Sequence, residues 1–400
     1  MDIDFTSWLG MALRLLHVIT GICWIGSSFY FIWLDNSLKS PNDEKDVKDG
    51  VKGELWAVHG GGFYHKKKYQ VAPAHMPEDL HWFKWEAYFT WVSGFLLLAL
   101  IYYFGASQML VDTSKMDLDP AEATLLGLTA IAGGWLAYDF LCQSELGRDN
   151  VKFGIVWYLL LVAAAYFLNQ VFTDRGAFIH VGAIIGTVMA ANVFIIIIPN
   201  QKKVVASLLA GESPDPRLGL KAKQRSLHNN YMTLPVLLIM IGNHYPMMFG
   251  HEYNWLILAG MGAVAFLIRH FFNLKHKGIV NYIYPGAGVA LFLVIMFLSA
   301  YHQTGPKAGK GEIQASDVEI RQMITENCVM CHSDTPTHAS LDVAPNGVMF
   351  DKMDEIKKYA DKIHQQAVAT EAMPIGNETG MTAEQREKLG IWIKTLKAKE

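Results

Sequence analysis

The sequence predicts an all-α protein, a polytopic membrane helix bundle of about eight spans followed by a small helical domain. Of its 400 residues, 52% are hydrophobic and only 18% are charged. Apolar runs of membrane-spanning length occur at 8–34, 87–104, 121–141, 152–172, 178–198, 231–249, 253–272 and 281–301. Beyond residue 302 such runs stop. We therefore divide the chain into an integral membrane domain (1–302), a linker (303–314) and a C-terminal domain (315–400).

The first apolar run is expected to stay in the protein as a membrane helix. It is too long for the apolar region of a signal peptide, and Asp2 and Asp4 precede it instead of lysine or arginine. The net charge of −3 says little about partners, and we expect a lipid bilayer but no nucleic acid among them.

The distribution of basic residues predicts the orientation of the bundle. With the N-terminus outside, the inner loops 35–86, 142–151, 199–230 and 273–280 contain seventeen lysines and arginines. The outer loops 105–120, 173–177 and 250–252 contain two, Lys115 and Arg175. Because inner loops are enriched in positive charge, the N-terminus and the C-terminal domain are both expected outside.

The C-terminal domain contains a C-x-x-C-H motif, Cys328-Val329-Met330-Cys331-His332. This motif is typical of covalent haem c attachment: the two thiols form thioethers, and the histidine is the proximal iron ligand. A redox dithiol or half of a zinc site is the alternative. Neither fits well, because the other two cysteines, Cys23 and Cys142, lie in distant apolar helices. Haem c is attached outside the bacterial cytoplasm, so the motif predicts a periplasmic domain on a multi-pass inner-membrane protein.

The helices around the motif predict a small class I-like cytochrome c domain. The segment 318–328 has apolar residues at helical spacing and runs into Cys328. A terminal helix capped by Thr382 has an apolar face formed by Leu389, Trp392, Ile393 and Leu396.

Met373 is the predicted sixth ligand of the haem iron. It lies 42 residues after Cys331 and is followed by Pro374, just before the last helix. A thioether ligand raises the reduction potential of an electron-transferring cytochrome c. The alternative is that Met373 only packs, and nearby methionines compete for the role: Met330, Met349, Met353 and Met381.

Several ionisable residues are predicted within the outer part of the membrane domain. Arg14 and His17 lie in the outer half of the first helix, and His244 lies in the outer third of the sixth. His180, His251 and His302 lie near the same face. Since such residues are costly in a membrane, we take Arg14, His17 and His244 as candidate catalytic residues. Some of the histidines could instead bind a haem b between helices, form hydrogen bonds between helices, or face water.

Two further groups are predicted at the inner side. Asp139, with Tyr138, is expected to be solvated, and Arg269 and His270 are expected to anchor their helix at the membrane surface. The loop segment 57–77 lacks acidic residues and contains Gly60–Gly62 and Lys66–Lys68, so it could attract an anion or merely mark the inner surface. A His-Gly-Gly-Gly run also occurs in esterases, but the chain has no G-x-S-x-G motif, which excludes a hydrolase of that class.

Four stretches together resemble the bacterial membrane-bound urate oxidase (urate hydroxylase) with a fused C-terminal cytochrome c. They are Arg14…His17-Val18…Gly21…Trp24-Ile25-Gly26, Trp56…His59-Gly60-Gly61-Gly62-Phe63-Tyr64, His81-Trp82-Phe83-Lys84-Trp85-Glu86 and Asn243-His244-Tyr245-Pro246, and the tail Met373-Pro374…Asn377-Glu378-Thr379 fits as well. The resemblance implies oxidation of urate, a small anion, to 5-hydroxyisourate, with water as the oxygen source and no hydrogen peroxide. Electrons would pass through haem c to a soluble cytochrome c or a terminal oxidase.

The position of the substrate site is the open point. From a site at the inner Gly60–Gly62 loop, electrons would have to cross a hydrocarbon core of about 30 Å. Either a further cofactor between the helices carries the electrons, or the substrate site lies in the outer half with Arg14, His17 and His244. The sequence favours the outer site. The alternative functions are a membrane-anchored electron carrier without substrate chemistry and a transporter with a redox sensor domain, for which no paired broken helices are found.

Overall fold

A computed structural model describes residues 5–73, 75–302, 315–338, 341 and 343–397. The predicted linker, 303–314, lies outside these residues. Most of the described chain is helical, and its single sheet is a two-stranded hairpin, in agreement with the all-α prediction.

Long helices form the first three quarters of the chain. The helices are α1 (Phe5–Ser37), α2 (Glu44–Lys48), α3 (Trp85–Leu98, continued by a π-helical turn at Ala99–Tyr103), α4 (Ala106–Met109), α5 (Pro120–Gln143), α6 (Asn150–Asn169), α7 (Asp174–Ala191, continued by a π-helical turn at Asn192–Ile197), α8 (Ile198–Leu209), α9 (Pro216–Gly242), α10 (Pro246–Phe249), α11 (Asn254–His276) and α12 (Ile283–His302). Buried side chains of α5, α6, α7 and α9 form the main hydrophobic cluster, with α7 at its centre.

Six helices among the described residues are long and apolar enough to cross a membrane. They are α1, α3 with its π turn, α5, α6, α7 with the continuous helix to Leu209, and α11. The remaining two predicted spans coincide with α9 and α12. In α12 the apolar part, Ile283–Ser299, is shorter, and the N-terminal half of α9 is polar.

The predicted bounds of the sixth span, 231–249, are wrong. Helix α9 begins at Pro216 and ends at Gly242, and a turn leads into the short helix α10, which starts with Pro246. Proline disfavours the helical conformation in the residue before it, so the helix cannot continue through this segment. His244 consequently lies in the turn and not in the outer third of a helix.

The long loop after α1 contains an antiparallel hairpin of β1 (Val51–His59) and β2 (Gly62–Tyr69). Gly60 and Gly61 form its two-residue turn with φ of 57° and 79°. Positive φ at both positions is what a tight hairpin turn requires, and glycine adopts it without steric cost. The glycine run thus has a structural reason that does not involve a ligand.

The C-terminal domain is a small helical unit with its own core. It contains α13 (Asp317–Asn327), α14 (Met353–Lys358), α15 (Ala360–Ile363, continued by a π-helical turn at His364–Ala369) and α16 (Ala383–Lys397). A capping box of Ser316 and Glu319 starts α13. Buried apolar residues of α13, α14 and α16 form the core, including Ile320, Ile324, Ile356, Leu389 and Ile393.

The C-terminal domain contacts one end of the helix bundle, which we call the docking end. Thr370 lies against Gly250 so closely that a Cβ atom on this glycine would overlap it. The side chains of Gln108 and His338 are joined by a hydrogen bond of 2.9 Å, and Ala372 packs against the main hydrophobic cluster of the bundle. The β-hairpin follows the C-terminal end of α1, which lies at the opposite end of the bundle. We call this opposite end the hairpin end.

Candidate functional site

The C-x-x-C-H motif forms a turn directly after α13. Cys328 is the C-terminal cap residue of this helix, and the amides of Cys331 and His332 both donate to its carbonyl. Both cysteines are partly buried free thiols. The imidazole of His332 lies 2.9 Å by Nδ1 from the carbonyl oxygen of Val348. A carbonyl can only accept, so Nδ1 carries the proton and Nε2 is the nitrogen that can bind a metal.

Met373 belongs to the same hydrophobic cluster as Cys328. Its backbone is held by Arg386, whose Nη1 donates to the carbonyls of Met373 (2.7 Å) and Ala367 and whose Nη2 donates to Oδ1 of Asn377 (3.2 Å). Arg386 is only 5% exposed. The sequence analysis missed this residue, although it lies three residues before Leu389 on the apolar face of the last helix, where an arginine is unexpected.

The pKa values of the two cysteine thiols differ from those of a redox-active dithiol. Burial raises the pKa of Cys328 to about 12, and burial followed by the nearby Glu378 raises the pKa of Cys331. A redox-active C-x-x-C pair needs the opposite, a lowered thiol pKa. Within the described parts of the chain, no group of three or more His, Cys, Asp and Glu residues could hold a metal ion such as zinc. Two thiols, one imidazole nitrogen and one thioether are the donors that a covalently attached haem uses.

The three candidate catalytic residues do not form one cluster through the contacts found among the described residues. Arg14 is exposed on α1, and His244 is exposed after α9. His17 is partly buried against α3, with Nδ1 2.9 Å from the carbonyl of Thr90 and 3.2 Å from Oγ of Ser93. Donation to Thr90 leaves Nε2 of His17 as the nitrogen that can accept a proton.

His180 is fully buried in α7, and both of its ring nitrogens are occupied. Nδ1 lies 2.7 Å from the carbonyl of Gly176, and Nε2 lies 3.2 Å from the hydroxyl of Tyr103. This arrangement favours the interpretation that His180 is a hydrogen-bonding residue between helices, because neither nitrogen is free for an iron ion.

A second group of polar residues lies at the docking end. Arg175, in the first turn of α7, donates from Nη2 to the carbonyl of Asn243 (3.3 Å), and the hydroxyl of Tyr102 lies next to the Asn243 amide. The amide of Asn243 donates to the same hydroxyl (3.1 Å). The guanidinium carbon of Arg175 lies 5.8 Å from the centre of the Phe249 ring. This cluster, Arg175–Tyr102–Asn243–Phe249, adjoins the contact with the C-terminal domain because Gly250 follows Phe249.

The structure corrects the prediction for the inner residues of α5 and α11. Asp139 forms an ion pair of 2.7 Å with Arg225, which is 3% exposed, so this carboxylate is a structural partner and not a freely solvated group. Arg269 is also buried: it donates to Asn230, and its guanidinium carbon lies 3.9 Å from the centre of the Phe29 ring. It therefore packs inside the bundle and does not anchor the surface.

A buried hydrogen-bond network extends from the Arg225–Asp139 pair. The hydroxyl of Tyr138 lies 2.8 Å from Nδ1 of His228, and Asn192 bonds both Tyr138 and Asn229. The sequence analysis missed Arg225, His228 and Asn229 because it placed them in a loop. Their spacing of three and four residues marks one face of a helix and could have revealed them.

Three consecutive lysines of β2 are bound by groups of the chain itself. Lys67 pairs with Asp46 (2.6 Å), Lys68 pairs with Asp35 (2.7 Å), and Lys66 donates to the hydroxyl of Tyr30. His65 lies 2.7 Å from Glu54 and stacks on Trp56. These contacts favour a structural role for the hairpin over an anion-binding role.

Comparison with known proteins gives one family match. The family model described as urate oxidase N-terminal matches residues 4–300, which comprise the helix bundle and the hairpin and end before the C-terminal domain. No curated protein and no solved structure matches the chain.

Proposed function

Because the chain belongs to the urate oxidase N-terminal family, we propose that it is a membrane-bound oxidoreductase that converts urate to 5-hydroxyisourate and passes the electrons through a covalent haem c to the respiratory chain. The observation that carries this proposal is the physical contact between two parts: the bundle, which the family model covers, and a C-terminal domain with a C-x-x-C-H motif. The contact segment, Thr370 to Gly376, includes Met373.

In this proposal Cys328 and Cys331 attach the haem, and His332 and Met373 bind its iron. When bound, such a haem accepts single electrons at a potential raised by the thioether ligand. The chain supports this arrangement in two ways. The carbonyl of Val348 orients the imidazole of His332, and Arg386 fixes the backbone of Met373.

The reaction balances without dioxygen. The urate anion and one water molecule give 5-hydroxyisourate, one proton and two electrons: a C–O bond forms at ring carbon C5 and an O–H bond of water breaks. The chain must therefore bind a flat anion, admit water and accept a proton. We retain Arg14, His17 and His244 as proposed catalytic residues, with Nε2 of His17 able to accept the proton and His244 adjacent in sequence to Asn243 at the docking end.

The proposal places the protein in the bacterial inner membrane, with the docking end and the C-terminal domain on the periplasmic side. Six helices of spanning length support the membrane location. The excess of basic residues in the loops of the hairpin end supports the orientation. A soluble cytochrome c or a terminal oxidase would then accept the electrons on the periplasmic side.

The test is anaerobic addition of urate to the purified full chain while the haem spectrum is recorded. We expect reduction of two haem equivalents per urate, incorporation of ¹⁸O from labelled water into the product, and no hydrogen peroxide in air. A pyridine haemochrome spectrum on the same sample should show haem c and would reveal any additional haem b. An oxidised haem that urate leaves unchanged, but that dithionite reduces, would contradict the proposal and indicate an electron carrier.

A further inference from the structure

Arg175 is a partly buried cation without a counter-charge. The neighbouring Asp174 is taken by Lys115 at 2.5 Å, and among the described residues no carboxylate forms an ion pair with Arg175. Its Nε atom is buried and has no hydrogen-bond partner in the described parts of the chain. Burying part of a charge and an unsatisfied donor costs free energy, which an anionic ligand would offset.

The groups around Arg175 suit a flat anion with polar edges. A guanidinium binds a delocalised oxyanion through two parallel N–H donors. The amide of Asn243 can donate and accept, and the hydroxyl of Tyr102 can do both as well. The ring of Phe249 offers an apolar face for stacking. The urate anion, with carbonyl and N–H groups around a planar ring, matches this set.

The position of the cluster fits electron transfer to the C-terminal domain. Phe249 is followed by Gly250, which contacts Thr370, and Met373 follows three residues later in the segment that packs on the bundle. A substrate held here would lie next to the proposed electron acceptor. The electrons would not have to cross the hydrocarbon core, as they would from the hairpin end.

We infer that Arg175, Tyr102 and Asn243 bind the urate anion at the docking end, beside the contact between Gly250 and Thr370. This inference rests on the proposed function and assigns its substrate site. Arg269 is the competing cation, since it is buried and forms no ion pair among the described residues. It lies near the C-terminal end of α11, toward the hairpin end and away from the contact with the C-terminal domain.

The experiment compares urate binding and urate-dependent haem reduction in the full chain and three variants. Arg175→Gln removes the charge. Arg175→Lys keeps the charge but lacks the two parallel N–H donors of the guanidinium. Arg217→Gln is the matched control, because Arg217 is exposed and paired with Asp215 at the start of α9. Equilibrium binding of radiolabelled urate is measured on oxidised protein, and dithionite reduction reports an intact haem.

We expect Arg175→Gln to weaken urate binding by about 10- to 100-fold, the loss typical of a charged hydrogen-bonded pair. Arg175→Lys should lose less, and the control should bind as the wild type does. Unchanged urate binding in Arg175→Gln would overturn the inference and leave the proposed function standing. If Arg175→Gln lacks a normal haem spectrum, Arg175→Lys decides: urate affinity equal to that of the wild type in this variant would overturn the inference. A wild-type protein that neither binds nor oxidises urate would overturn both.

Discussion

The close approach of Gly250 to Thr370 makes the docking contact testable through a single added side chain. Gly250 has a φ of −87°, which any residue adopts, so the main overlap in Gly250→Val is with Thr370, and the carbonyl oxygen of Pro246 is a lesser close contact at 3.0 Å. A Cβ atom here would overlap Cβ and the carbonyl oxygen of Thr370 by about 1 Å, taking 3.4 Å as ordinary contact. The C-terminal domain would have to move away by a similar distance.

A displacement of about 1 Å in the geometry of a reacting pair can cost about 100-fold in rate. We therefore expect urate-dependent haem reduction in Gly250→Val to slow by up to this factor, while reduction by dithionite stays normal. Gly219→Val is the matched control, because a Cβ at Gly219 meets nothing within 4 Å.

The contact itself can be measured without turnover. Cysteines replacing Gln108 and His338, whose side chains are 2.9 Å apart, should be joined by a short bifunctional maleimide in a background lacking Cys23 and Cys142. Gly250→Val should lower the cross-linking yield. A wild-type yield together with a wild-type rate of haem reduction would refute the described docking.

Three further predictions concern separate parts of the chain. Arg386→Met should destabilise the C-terminal domain by about 3 kcal/mol in denaturant unfolding, because it leaves buried carbonyls unpaired. Lys388→Met, at an exposed pair with Glu384, should leave its stability nearly unchanged. The Ser333 hydroxyl holds the pKa of Asp351 below its usual range. The stability gained from Asp351 is therefore present above the ordinary aspartate pKa of about 4 and lost as pH falls through the lower folded value, so wild type and Asp351→Asn should converge in acid unfolding experiments. Gly61→Val should destabilise the hairpin more than Gly61→Asn in thermal unfolding, because a β-branched residue tolerates positive φ poorly and asparagine tolerates it better.

Local patterns in the sequence predicted much of the fold. The apolar runs correspond to helices, and the helix before Cys328 ends where the motif begins, because periodicity and capping act over a few residues. The hairpin was missed, although Gly60-Gly61 between two runs rich in valine, tyrosine and tryptophan is a turn signal.

The polar contacts inside the bundle depend on tertiary structure and could not be predicted in the same way. Asp139 and Arg225 are separated by 86 residues, and they meet because α5 and α9 both pack against α7. Arg175 was counted as a loop cation, because only the structure shows that the neighbouring Asp174 pairs with Lys115 and that Arg175 forms no ion pair among the described residues. Of the candidate site, the C-x-x-C-H motif could thus be recognised in the sequence, while the Arg175–Tyr102–Asn243–Phe249 cluster could not.

The docking contact joins two parts of a single polypeptide, and this changes how strong it needs to be. Separate proteins generally need an interface above about 1,000 Å² to associate stably. A tethered partner experiences an effective concentration that can reach about millimolar, so a few contacts between Thr370, Ala372 and Gly250 can keep it in place. A modest interface is thus enough for the tethered C-terminal domain to rebind at the same place on the bundle whenever it dissociates.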